Sequence, residues 1–207
     1  VNDQTNLLLF SDYALHAVVF GVVVVSWFAF AFVFLRFLRR KPPTGAESRR
    51  DGTSTLGLVL QGAGYAFVWA FMRRKFTHIA SVGNLSDIAV AVLTVALAVG
   101  SVWMMRSAFG TLGQQWSLTA RVLEGHRLIT AGTYGWVRHP IYTGMFGMLV
   151  ATGLAASRPF GLLAGVIVFW VGTMIRIRSE ERLLRAAFGA QYDEYARRVP
   201  AVVPGVY

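Results

Sequence analysis

From Ala14 to Leu35 the chain is apolar apart from His16 and Ser26. At about 1.5 Å of rise per residue, that run reaches across a hydrocarbon core roughly 30 Å thick, so it predicts a first membrane-crossing helix. Further apolar runs occupy 56–72, 88–105, 141–156 and 160–175. Lipid offers no water to unpaired backbone groups, and a barrel would alternate in strands of about ten residues, so these runs predict helices. The expected fold is an all-α integral membrane protein with about five transmembrane helices. The last two, joined only by Ser157, Arg158 and Pro159, form a short helical hairpin that returns the chain to the side it came from. Each has about 16 apolar residues, short for a full crossing. The residues ahead of Ala14 carry only the charges of Asp3 and Asp12, with no basic segment of the kind a cleaved signal needs, so the first run is read as a span.

Between the runs the polar segments differ in kind. Residues 41–55 (KPPTGAESRRDGTST) form a Pro-, Gly- and charge-rich connector, and no internal repeat is present. Within the second run, GAGYAF at 62–67 begins like a dinucleotide loop but has no third glycine and no preceding strand. Its glycines instead suit close helix packing in a membrane. Residues 114–142 are punctuated by Gly125, Gly132 and Gly135, too irregular for one helix and too long for an idle connection. Residues 176–200 return to helical spacing through Leu184, Phe188 and Tyr195. Gly189 is expected to end one helix, and the pairs Asp193 with Arg197 and Glu194 with Arg198 to support a second. This gives two regions: 1–113, membrane helices and their connectors, and 114–207, a polar loop, the hairpin and C-terminal helices.

Composition changes the picture in one respect. The chain of 207 residues carries twenty Lys and Arg against ten Asp and Glu. With the N-terminus outside, sixteen of the twenty cations fall on inner segments and four, Arg73, Arg74, Lys75 and Arg158, on outer ones. Cationic residues collect on the cytoplasmic side, so the loop and the C-terminus are expected there, with anionic lipids as neighbours and no nucleic acid as partner. The Arg73–Lys75 cluster runs against this rule. Cysteine is absent, which removes thiolate nucleophiles and thiolate metal sites, and no metal is expected. Nothing in the pattern sets an oligomeric state.

The sharpest local chemistry is YGWVRHPIYTG, residues 134–144. Pro140 at the first position of a membrane helix loses no hydrogen bond and leaves the helix N-terminus with free amides. Arg138 and His139 add donors there, so an anion-binding corner is expected. Glu180 and Glu181 would supply the opposite charge if the two helix ends meet, and a zwitterionic, partly cationic ligand suits such a pair. Each residue also has a plainer reading. Arg138 can be a snorkelling topology residue, His139 a helix cap, and Glu180 and Glu181 partners of Arg176, Arg178 or Arg185 on their own helix. Tyr134, Trp136 and Tyr142 can be interfacial aromatics.

The segment HRLITAGTYGWVRHPIYTG, residues 126–144, resembles the HxLVTxGxYxxVRHPxYxG signature of the isoprenylcysteine carboxyl methyltransferase family. RIRSEERLLRAAFGAQYDEY, residues 176–195, is similar to the same family's C-terminal RxRxEExxLxxxFGxxYxxY block. The resemblance covers residues from about 114 to 207, and Ile129 in place of Val is a conservative departure. It implies a membrane-embedded enzyme that uses S-adenosyl-L-methionine without a soluble Rossmann domain. It further implies that Gln115, His126, Leu128, Ile129 and Gly132 wrap the adenosine and that Tyr134, His139 and Tyr142 line the pocket. Glu180 or Glu181 would hold the amino group or ribose hydroxyls, and Arg138 or His139 the carboxylate. Arg176 or Arg178, with Glu180, would form the catalytic group, an arginine gripping the acceptor carboxylate. The implied acceptor is a prenylated cysteine or another lipophilic molecule arriving from the bilayer.

Methyl transfer from a sulfonium to a carboxylate neutralises opposite charges, so a catalyst gains by positioning and by removing water, and needs no general base. Two other activities share similar scaffolds: phospholipid N-methyltransferases, whose amine acceptor must first lose a proton, and membrane sterol reductases, which use a reduced nicotinamide phosphate. A membrane protein that keeps the fold without catalysis is the third alternative.

Overall fold

The computed structural model describes residues 3–39, 47–50, 52–73, 84–113, 121–123, 127–203 and 205. Its helices are α1 (Asp3–Leu38), α2 (Thr53–Ala70), α3 (Asn84–Leu112), α4 (Pro140–Ala156), α5 (Pro159–Phe188) and α6 (Ala190–Arg198). Among the described residues the all-α expectation is modified by a two-stranded antiparallel ribbon of β1 (Glu47–Arg50) and β2 (Arg121–Leu123) and by an isolated bridge between Met72 and Ser157. The ribbon ties the α1–α2 connector to the loop that leads toward α4.

Among the described residues, three helical stretches are long and apolar enough to cross a membrane: Ala14–Leu38, Ser86–Leu112 and Pro159–Phe188. The helices at the second and fourth expected spans, α2 with 18 residues and α4 with 17, are not among them. For α2 the reason lies in its buried face, where Ser54, Gly57, Gln61 and Gly64 replace the apolar residues of an ordinary span. The sequence ends the last span at residue 175, but α5 runs unbroken for 30 residues. No Gly or Pro lies between 176 and 188, and Gly189, at a φ of 53°, stops the helix there. The last span and the first C-terminal helix are therefore one rigid element, and Arg176, Glu180 and Glu181 share its register with the apolar stretch.

Packing follows membrane rules. Large apolar side chains such as Phe28, Phe32 and Val92 are exposed on α1 and α3, while the helices meet through small residues. The closest seam joins α2 to α5. A Cβ placed on Gly64 would lie 2.7 Å from Phe169 Cβ and 2.8 Å from the Gly165 carbonyl oxygen. One placed on Gly172 would lie 2.6 Å from the Gly57 carbonyl oxygen. Seven-residue spacing on both helices keeps these pairs aligned along the seam, and Gln61 Nε2 donates to Thr173 Oγ1 between them at 3.0 Å. Gly64 thus fills the packing role expected of GAGYAF, whereas Gly62 faces open space. On the other side of the bundle α1, α3 and α4 close around Phe30, Phe37, Met105, Phe109 and Met148, with Phe37 stacked on Phe109 at 4.6 Å.

The two ends of the bundle differ. At one end, α2 finishes against the α4–α5 turn: Arg73 N donates to the Ala156 carbonyl at 2.8 Å and Arg158 N to that of Phe71 at 2.9 Å. The Arg73 guanidinium donates to the Leu154 carbonyl at 2.7 Å. A cation on the last carbonyls of α4 is favourable, which gives Arg73 a local reason to break the charge asymmetry. Arg74 and Lys75 lie outside the described residues. At the opposite end, the start of α2, the start of α4 and the polar half of α5 come together.

Candidate functional site

Pro140 opens α4, and His139 stands at its N-cap with no side-chain capping bond. The imidazole instead reaches α5, with Nδ1 3.4 Å from Glu180 Oε2 and Nε2 3.3 Å from Glu181 Oε1. Its ring lies nearly parallel to that of Tyr142, one turn into α4, with centroids 5.6 Å apart. The Tyr142 hydroxyl donates to Glu180 Oε1 and accepts from Arg176 Nε at 2.8 Å. Arg176 also contacts Glu180 at 3.6 Å and donates through Nη1 to the Ser54 carbonyl at 3.3 Å, at the start of α2. On the other flank, Arg138 Nε donates to Glu181 Oε1 at 3.0 Å. The chain of contacts from Arg138 through Glu181, His139, Glu180, Tyr142 and Arg176 to Ser54 joins three helices. His139 and Arg176 are almost wholly buried, at 6% and 5% exposure.

The donors expected to form an anion-binding corner are taken up by the protein's own acceptors. The backbone amides of Arg138 and His139 donate to the carbonyls of Pro200 and Ala201 at 2.8 and 2.9 Å. The Arg138 guanidinium donates to the carbonyls of Ala196, at 2.7 Å, and Val199. Thr143 Oγ1 donates to the Val202 carbonyl at 2.7 Å. These bonds staple the tail after α6 over the start of α4. Arg138 is thereby tied to the tail and to Glu181, a fuller set of partners than either the snorkelling or the ligand-carboxylate reading anticipates.

Burial alone would lower the His139 pKa, but the hydrogen bonds and charges of Glu180 and Glu181 outweigh it and raise it above its ordinary value. An imidazole whose folded-state pKa is raised gives stability that is complete below its ordinary value of 6.5 and is lost as pH rises through the raised value. The thermal midpoint of detergent-solubilised protein is therefore expected to fall from about pH 6.5 upward. His139→Gln should flatten that part of the profile, and an unchanged slope in the variant would assign the loss to other groups.

The remaining expected site residues divide. Tyr134 lies in a 3-10 turn, Gly132–Gly135, and is buried; its carbonyl accepts from the Tyr195 hydroxyl at 2.6 Å. Gly132 takes a φ of 60°, and a Cβ there would lie 2.9 Å from Thr111 Oγ1 at the end of α3. Leu128 and Ile129 are half-buried just ahead of it. Arg178 stands on the exposed face of α5, away from Arg176, because two residues along a helix turn a side chain through about 200°. Gln115 and His126 lie outside the described residues. Asp193 pairs with Arg185 at 2.7 Å in place of the expected Arg197, while Glu194 and Arg198 pair as expected at 3.3 Å. Ser54 and Gly57 enter the site without having been expected. Their signal was available: small and polar residues at 54, 57, 61 and 64 mark one face of an otherwise apolar helix. Thr133 Oγ1, in the turn beside Tyr134, is buried with no hydrogen-bond partner among the described residues.

The segment that carries this geometry is similar to known proteins. Residues 90–186 match the model of the isoprenylcysteine carboxyl methyltransferase family. Protein-S-isoprenylcysteine O-methyltransferase B of Arabidopsis thaliana is 37% identical over 105 residues, covering 50% of this chain and 53% of the relative. The protein-S-isoprenylcysteine O-methyltransferase of Saccharomyces cerevisiae is 38% identical over 79 residues, 38% of this chain and 33% of the relative. That of Schizosaccharomyces pombe is 32% identical over 104 residues, 49% and 44% respectively. The chain thus spans about half the length, or less, of these curated relatives. The segment 90–186, which holds Arg138, His139, Tyr142, Arg176, Glu180 and Glu181, is similar to the isoprenylcysteine carboxyl methyltransferase family.

Proposed function

We propose that this chain is a membrane-embedded methyltransferase that uses S-adenosyl-L-methionine to methylate the carboxylate of an isoprenylcysteine-like or other lipophilic acceptor. The observation that carries the reading is the buried cluster around His139 and Arg176. It lies inside the matched segment and at the polar end of an apolar bundle. Residues 114–207 form the catalytic region, and residues 1–113 supply the surrounding spans. The same reading takes the chain through the membrane about five times, with the N-terminus outside and the loop and C-terminus cytoplasmic, a placement that the distribution of cations supports.

The residues present fit the cofactor. Glu180 and Glu181 offer acceptors to its amino group and ribose hydroxyls. Half-buried Leu128 and Ile129 offer adenosine apolar surface and backbone groups beside Gly132; Tyr134, His139 and Tyr142 would line the same pocket, and Gln115 and His126 are assigned to it by the resemblance alone. The orphaned Thr133 hydroxyl is a polar group in that turn without a protein partner among the described residues. S-adenosyl-L-methionine, when bound, supplies a methyl group on a positively charged sulfur. The two carboxylates offset that positive charge, and His139 and Arg138 hold Glu181 in place. Arg176 orients the acceptor carboxylate without protonating it, because a guanidinium keeps its proton. The α2–α5 seam excludes water beside Arg176, which strengthens its grip on an anion. An amine acceptor suits this place poorly, since the same guanidinium repels an ammonium.

Calorimetric titration of the detergent-solubilised protein with S-adenosylhomocysteine, with a reduced nicotinamide phosphate for comparison, tests the reading. Saturable binding of the homocysteine compound alone is expected. Binding of the nicotinamide alone would replace the methyltransferase by a reductase, and a folded protein that binds neither would count against catalysis.

A further inference from the structure

Arg176 owes its place to α2, which precedes the catalytic region. The Arg176 stem crosses α2 at Gly57, where a Cβ would lie 2.5 Å from Arg176 Cγ, 2.6 Å from the Gly172 carbonyl oxygen and 3.3 Å from Arg176 N. One turn earlier, the Ser54 carbonyl accepts from Arg176 Nη1. On the far side, Tyr142 of α4 accepts from Nε, and its ring lies 5.4 Å from the guanidinium carbon. The guanidinium is therefore held between two helices, and its direction depends on the lack of a side chain at residue 57. Gly64, two turns along the same seam, makes equally close contacts, but to Phe169 and Gly165 and not to Arg176.

We propose that Gly57 is a positioning residue for the transfer reaction: the first two turns of α2, with Gly57 as the clearance and the Ser54 carbonyl as the acceptor, aim Arg176 at the acceptor carboxylate. The inference rests on the methyltransferase reading for its catalytic consequence and on geometry alone for the placement of Arg176. An alanine at 57 pushes the stem and backbone of α5 away from α2. Tenths of an ångström at the stem are enlarged at the guanidinium, and misplacement of a positioning group by about 1 Å is worth on the order of 100-fold in rate.

The test compares Gly57→Ala with Gly64→Ala, which disturbs the same seam without touching Arg176. Gly57→Ala is expected to lower kcat/KM for the acceptor by roughly 10- to 100-fold and leave S-adenosylhomocysteine affinity within about twofold. Gly64→Ala is expected to lower the thermal midpoint and keep its kcat/KM. A similar kcat/KM loss in both variants, or in neither, would reduce Gly57 to a packing residue. In the Arg176→Ala background the 2.5 Å contact is gone and only the backbone contacts remain, so Gly57→Ala should cost much less activity than it does in the parent. An additive loss there would overturn the proposal even if the single variant folds poorly. A readout independent of activity separates the two claims. The Arg176 Nε–H resonance of nitrogen-15-labelled protein, assigned with Arg176→Lys, should shift in Gly57→Ala and stay in place in Gly64→Ala. That result in a protein that binds no S-adenosylhomocysteine would keep the placement and discard the methyltransferase reading. An unmoved resonance would discard the placement itself.

Discussion

Replacing Arg176 by alanine is expected to lower methyl transfer by roughly 100- to 1,000-fold, the loss seen when a buried group that stabilises a reacting anion is removed. Binding of S-adenosylhomocysteine should change by less than about threefold if Arg176 serves the acceptor, as proposed, and not the cofactor. The physical basis is its position: a residue only 5% exposed, its guanidinium between Tyr142 and the Ser54 carbonyl, at the margin of the apolar bundle. Arg176→Lys should recover little, since an ammonium cannot serve Tyr142, Ser54 and an acceptor carboxylate with one planar fork. Isothermal titration beside a transfer assay reads both quantities from one preparation. Loss of cofactor affinity in step with turnover would move Arg176 to the cofactor side of the site. Retained turnover would pass the acceptor carboxylate to another cation, Arg178 on the exposed face of α5 being the next candidate.

Glu180→Ala and His139→Ala are expected to abolish saturable cofactor binding, a loss of 100-fold or more in affinity, because each removes a charged hydrogen-bond partner. Both substitutions also disturb the fold. Without Glu180, Arg176 and His139 lose a common partner, and an uncompensated buried charge costs on the order of 3 kcal/mol. Glu180→Gln separates the two effects. It keeps the shape and one acceptor oxygen, so it should hold the thermal midpoint closer to that of the parent while still weakening cofactor binding. Unchanged binding in Glu180→Ala and His139→Ala, measured by the same titration, would place the cofactor elsewhere in the molecule.

The local readings and the structure agree most closely where a short-range rule applies. Pro140 at the first position of α4, Gly189 at the end of α5 and the Glu194–Arg198 pair all follow from the chain within one or two turns. They diverge where distant elements compete for one group. Asp193 has Arg197 one turn away, yet it pairs with Arg185, because α6 folds back beside the end of α5. Arg138 carries the charge of a topology residue, yet it staples a tail some sixty positions later, at Ala196 and Val199. Arg73 violates the charge asymmetry until the last carbonyls of α4 are seen to receive it.

The sequence by itself determined that the chain is a bundle of apolar helices, that its polar chemistry is gathered in 126–144 and 176–195, and which residue types that chemistry uses. These are matters of hydrophobic period, helix punctuation and motif spacing, all local along the chain. Tertiary structure alone decided that Glu180 and Glu181 turn toward His139, that Arg176 and not Arg178 faces the cluster, and that α2 supplies Ser54 and Gly57. Those outcomes depend on the rotation of α5 against α2 and α4. Small residues on two helices set that rotation by how closely they let the backbones approach, a quantity that neither helix carries alone.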